Sequence, residues 1–92
     1  MIRKTDRNHK QVIDDLRKEG MSVFSTHTIG KGFPDIVVGH NGKNYLFEIK
    51  DGAKTRSQTK LTESEREFHN QWKGQINIII NSNQAKQIIN AD

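Results

Sequence analysis

The chain has 92 residues, 32% hydrophobic and 28% charged, with one proline and no cysteine, which predicts one domain over 1–92 around a single modest core. No apolar run approaches the ~20 residues that cross a bilayer, no apolar stretch follows the basic start MIRKTDRNHK to make a secretory leader, and the lack of thiols fits a cytoplasmic setting. Fifteen Lys and Arg against eleven Asp and Glu give a net charge of +4, which points to a polyanionic partner, DNA or RNA first, or else only to solubility.

Taken in order, residues 6–19 read as a helix, with Thr5 or Asp6 as cap, Val12, Ile13 and Leu16 as its apolar stripe and Gly20 as its stop. MSVFS (21–25) reads as a short strand, and 27–33, with two glycines, as a loop. DIVVG (35–39) and NYLFEIK (44–50) read as strands joined at Asn41-Gly42, a strong hairpin signal. DGAKTRSQTK (51–60) has no periodicity and is expected to be an exposed loop. Thr62-Glu63-Ser64-Glu65 fits a capping box, opening a helix with Phe68 and Trp72 on its buried face and Gly74 at its end. QINIII (75–80) is nearly all apolar on both faces, which predicts a central, covered strand. Ser82 then caps a last helix with Ala85, Ile88 and Ile89 inward. The fold class is α/β (α+β): a mixed sheet flanked by helices in the order α-β-β-β-α-β-α.

A two-residue turn at Asn41-Gly42 pairs residues whose numbers sum to 83, so His40 faces Lys43, Gly39 faces Asn44 and Asp35 faces Glu48. Opposed Cβ atoms lie ~4.5–5.5 Å apart on one face, and Lys50, two residues on, shares the face of Glu48. Tyr45, Phe47 and Ile49 then point the other way. Two carboxylates across a ladder repel unless something positive lies between them. Lys50 is one such group and a divalent cation another, with the Ile49 backbone carbonyl as a further ligand. The plainer reading is a salt-bridged rim of the sheet.

Phe33-Pro34-Asp35 followed by Glu48-Ile49-Lys50 resembles the PD-(D/E)xK nuclease signature. The wider pattern, DRNHK…LRKEG…FPDIVVG…LFEIKDG…S..KLTESEREFH..W.GQ, is similar to stand-alone VRR-NUC domains of phages and prophages over residues 6 to 85. The resemblance implies a restriction-endonuclease-like core and a DNA phosphodiesterase using Mg²⁺ or Mn²⁺. It makes Asp35 and Glu48 the metal carboxylates and Lys50 the catalytic lysine. Many relatives carry an acid on the first helix; here that place falls near His9, with Gln11 close by. His9 lies on the inward face, as a water-mediated metal or phosphate contact or as a packed boundary residue, and the loss of a carboxylate favours one metal over two. Lys31, Lys54, Arg56, Ser57 and Lys60 flank the motif as DNA contacts, Ser57 and Lys60 on the strength of the resemblance, with Arg3, Lys4 and Arg7 as a second basic group. Phosphate contacts of this kind read shape rather than sequence.

The function expected is therefore structure-specific cleavage of branched DNA, such as Holliday junctions, in phage replication, recombination or repair inside the bacterial cell. One site per chain makes a homodimer the expected unit for paired cuts. The runner-up enzymes are a flap nuclease and a non-specific nickase. From other classes come a non-catalytic structure-specific DNA-binding module and an RNA-binding protein, the latter disfavoured by the lack of an aromatic platform. Trp72 and Tyr45 are read as core residues and His69 as a surface or boundary residue.

Overall fold

The computed structural model describes residues 8–52 and 60–91. Among them the elements run α1 (His9–Lys18), β1 (Ser22–Ser25), β2 (Ile36–His40), β3 (Lys43–Ile49), α2 (Glu63–Gln71), β4 (Asn77–Ile79) and α3 (Ser82–Asn90). The result is an α+β fold built on one four-stranded mixed sheet in the order β1-β2-β3-β4. The first two pairings are antiparallel and the last is parallel. None of the described helices is long and apolar enough to cross a membrane.

The turn sets the register. Asn41 and Gly42 both have positive φ, 52° and 77°, as a twist-matched two-residue hairpin turn requires. The ladder then runs His40↔Lys43, Gly39↔Asn44, Val38↔Tyr45, Val37↔Leu46 and Ile36↔Phe47, the expected sum of 83. Alternation sends Ile36, Val38, Tyr45, Phe47 and Ile49 to one face, where they meet Val12, Ile13 and Leu16 of α1 and Ala85 and Ile89 of α3 in the core. The opposite face carries Glu48 and Lys50 and receives α2.

Several expectations are corrected. β4 is not a central covered strand but a three-residue edge strand. Only Ile79 points into the core, while Ile78 and Ile80 are 46% and 39% exposed. A run with four isoleucines in six residues looks two-sided in sequence even where one face stays open. α2 stops at Gln71 rather than near Gly74. Trp72, read as core, is 43% exposed, stacked on Phe68 at 5.1 Å, and the buried residue of α2 is Glu65. The cap of α3 is Asn81, whose Oδ1 accepts from the Gln84 N–H, and Ser82 is the first helical residue. Asp51, placed in an exposed loop, is buried. Strand β2 starts at Ile36, so Asp35 stands just before it. The caps Thr5 and Asp6 lie outside the described residues. Asn8 at the start of α1 makes no side-chain cap; its Nδ2 donates instead to the Lys50 and Ile80 carbonyls, at 3.1 and 2.6 Å.

Gly32 joins the loop before β2 to α2. Its φ is +81°, and a Cβ there would run into the Ser64 backbone carbonyl. Gly32→Ala is expected to lose about 2–4 kcal/mol, from left-handed strain plus overpacking, read in urea denaturation as a lower midpoint at unchanged m-value.

Candidate active site

Each of the three motif residues reaches the site by a different local cause. The expected pairing of Asp35 with Glu48 is not part of the ladder, which ends at Ile36↔Phe47; Asp35 instead donates its N–H to the Phe47 carbonyl at 3.0 Å, so it and Ile36 both oppose Phe47, as at a bulge. Its Oδ2 accepts the Ile49 N–H at 2.8 Å, so the side chain closes the end of the ladder in place of a backbone partner. A strand residue turns its N–H and C=O to the same edge. The Ile49 carbonyl therefore faces the Asp35 side as well, where the sequence placed it as a ligand.

Glu48 near the end of β3 and Lys50 just after it project beneath α2. All three motif residues are buried, with Asp35 7%, Glu48 2% and Lys50 9% exposed, so this is not a solvated rim of ion pairs. Lys50 Nζ lies 3.8 Å from Glu48 Oε2 and 3.1 Å from Glu65 Oε1. Glu65 is the residue that sequence reading missed as part of the site, since it entered only as half of a capping box. The box forms: Thr62 Oγ1 accepts the Glu65 N–H at 3.2 Å, and Glu65 Oε1 accepts the Thr62 N–H at 2.9 Å. The same oxygen thus holds the helix start and the lysine.

The electrostatics follow from crowding acids under cover. Burial, and then the neighbouring Asp35 and Glu65 carboxyls, push Glu48 up to about 10 from an ordinary 4.5. At neutral pH it holds its proton. Burial works against ionisation of Glu65 too, but the Thr62 N–H, the Glu48 carboxyl and the Lys50 ammonium together outweigh it and hold Glu65 below the ordinary range. His69, one turn further along α2, is half-buried, and burial pushes its imidazole down, opposed by Glu65 and helped by Lys50. It is a boundary residue, as read.

The remaining predicted residues separate into three groups. His9 is buried, but its Nε2 lies 3.4 Å from Ser25 Oγ and its ring packs edge-on to His27 at 5.2 Å. Among the described residues no group of three or more His, Asp or Glu side chains is placed to hold a metal ion. Gln11 is exposed and donates to Asp15 Oδ1 at 2.7 Å, so it turns away from the site. Lys31 and Lys60 are exposed; the Gly32–Ser64 contact brings Lys31 to the start of α2, where Lys60 also stands. Lys54, Arg56, Ser57, Arg3, Lys4 and Arg7 lie outside the described residues.

The donor set fits a hard divalent cation with few protein ligands. Mg²⁺ takes one or two carboxylates and keeps waters for itself and for a substrate phosphate. Glu48 Oε1 is buried and accepts no hydrogen bond from the described residues, which is an oxygen suited to a cation. With Glu48 ionised, three carboxylates and one ammonium leave two negative charges, which one divalent ion balances. No protein-family model, curated protein or solved structure matches the chain.

The pH dependence has a definite sign. A carboxyl raised on folding stabilises the fold fully below its unfolded value and progressively less as pH climbs toward the folded one. Between pH 7 and 9, above the range in which Glu65 and His69 titrate, the protein in EDTA should lose thermal stability as pH rises. Glu48→Gln should flatten that slope and raise Tm at pH 9 by about 5 °C or more, where 1 kcal/mol is worth ~4–8 °C. Melting curves of both forms across this range are the measurement, and a slope unchanged by the substitution would refute the assignment.

Proposed function

We propose that the chain is a metal-dependent DNA endonuclease of the PD-(D/E)xK superfamily, a VRR-NUC-type domain with a restriction-endonuclease-like core. Its substrate is branched DNA such as a Holliday junction. The observation that carries this reading is the convergence of Asp35, Glu48 and Lys50 at the end of the central hairpin, buried beneath α2. Apolar side chains would stabilise that place better, because a buried charged set costs more in desolvation than its pairing returns.

Asp35 and Glu48, with the Ile49 carbonyl, would hold Mg²⁺ or Mn²⁺, which supplies an acidified water and polarises a phosphoryl oxygen. Asp35 is oriented for this by the Ile49 N–H. Glu48 must give up its proton on loading, so metal affinity rises with pH. Lys50, an ammonium with three donors and no acceptor, is held in place by Glu65 and stabilises negative charge growing on the phosphate oxygens. The exposed Lys31 and Lys60 take neighbouring backbone phosphates, which fixes position without reading bases. One chain offers one such site, so paired cuts across a four-way junction would be made by a homodimer in the bacterial cytoplasm, with flap cleavage or plain nicking as the work of a single site.

A second reading, a non-catalytic DNA-binding module, is favoured by one feature: Lys50 is already paired with Glu65 at 3.1 Å, so the ammonium has a partner without metal or phosphate. Cleavage separates the two. Purified protein with four-way junction, flap, single-stranded and duplex DNA should cut in Mg²⁺ or Mn²⁺ and not in EDTA. Asp35→Asn or Lys50→Ala should slow cutting by about a hundredfold or more. Cleavage that persists in EDTA or in either variant would reject the nuclease mechanism. Glu65→Gln, which keeps the cap but weakens the hold on Lys50, should lower kcat about tenfold with KM little changed, since a neutral acceptor gives roughly half the strength of a charged one.

A further inference from the structure

The sheet face that carries Glu48 is covered at one side only. Phe24 of β1 pairs with Val37, and Val37 with Leu46, so by alternation Phe24 shares the face of Leu46 and Glu48. At ~4.8 Å between strands and ~3.4 Å per residue, its Cα lies about 12 Å from that of Glu48. Glu48 is buried beneath α2, whereas Phe24, on the edge strand β1, is 72% exposed. Among the described residues its ring has no aromatic partner, while Trp72, the other exposed aromatic, already stacks on Phe68. A phenyl with an open face thus stands on a strand beside the motif, a platform the sequence pattern did not single out.

We infer that Phe24 stacks on an unpaired base of the DNA strand. The preferred substrate is then a flap or other branch with unpaired bases about three to four nucleotides from the cut, at ~3.4 Å per stacked nucleotide. This rests on the proposed nuclease reading for the choice of DNA. Aromatic side chains take bases through the π-face that every base has, without reading sequence, and strand-borne aromatics are a common platform for single strands. The net charge of +4 and the exposed Lys31 and Lys60 suit the phosphates such a strand brings. A second copy of the chain fits this place less well. One covered aromatic buries ~150–250 Å², against ~800 Å² per partner in a stable interface, and the flanking Val37 and Leu46 are already half-buried. Strand addition at β1 is opposed by Arg17, whose Nη2 donates to the Val23 carbonyl at 2.9 Å, on the edge turned away from β2.

The test is affinity of the full chain in EDTA, by fluorescence anisotropy, for a DNA flap with unpaired bases at the branch and for a fully paired duplex of equal length. Phe24→Ala should raise Kd about tenfold on the flap, as loss of one base–aromatic stack does, and leave the duplex unchanged. The ratio of the two affinities is the readout, since a fraction of unfolded chain would weaken both alike. Phe24→Trp should bind as wild type, and Phe24→Leu, apolar without a π-face, as weakly as the alanine variant. A 2-aminopurine in the unpaired strand should be quenched by wild type and not by Phe24→Ala, and an abasic site in its place should erase the difference between the two proteins. An unchanged Kd on the flap, equal losses on flap and duplex, a Phe24→Leu that binds as wild type, or a wild-type dimer that Phe24→Ala dissociates in light scattering would overturn the inference. A flap-specific loss without metal-dependent cutting would defeat the nuclease reading alone. Cutting with Phe24→Ala binding the flap as wild type does would defeat this one alone.

Discussion

Glu65 Oε1 accepts two hydrogen bonds, one from the Thr62 N–H that starts α2 and one from Lys50 Nζ at the end of β3. Through that oxygen the helix is fixed to the sheet over the motif residues. Its only described buried residue is this acid, and its aromatic contacts, Phe33 with Phe68 and Phe68 with Trp72, lie at the margin. A helix with so little apolar burial is held by few interactions, and one of them is the ion pair inside the candidate site. Breaking a buried pair on one side leaves an uncompensated charge, which commonly costs 3–5 kcal/mol. Placement of α2 and placement of the lysine are therefore one structural fact.

The second constraint is register. With Asn41 and Gly42 both in the left-handed region, Ile36 meets Phe47, and Asp35 meets the end of β3. A slip of one residue would turn Glu48 and Lys50 into the core and bring Phe47 out beneath α2. The same alternation that fills the core with Tyr45, Phe47 and Ile49 thus concentrates charge on the other face. Asp35 seals the arrangement by using its side chain where the ladder runs out of backbone acceptors.

Much of this was legible because it depends on period and turn chemistry. The hairpin, its register, the stripe of Val12, Ile13 and Leu16, and the capping box at Thr62 are all local patterns, and local patterns are visible in one sequence. What was not legible depends on partners far along the chain. Nothing in NIII says which of its faces will be left open, since that depends on where the sheet ends. Trp72 reads as core by size, yet sits at a helix end with only Phe68 to cover it. Glu65 enters the site because Gly32 lets a loop close against Ser64, a contact separated by about thirty residues of sequence. His9 kept the inward direction that its spacing gave, and Ser25 of β1 lies against its Nε2.

A site of this composition works against the fold that holds it. Glu48 is kept protonated by burial among acids, and Lys50 is drawn toward two of them, so the unliganded arrangement is a compromise among buried charges. A cation that takes Glu48 from its proton would relieve the repulsion between Asp35 and Glu48, and would leave Lys50 and Glu65 as an undisturbed pair. Because anything that binds only the folded chain stabilises it, ion and fold would reinforce each other. On this view the acids at the strand ends and the glutamate above them form a single electrostatic unit. The cost of that unit is tolerated in a 92-residue chain because the core on the opposite face of the same strands is apolar, continuous and set by the same register.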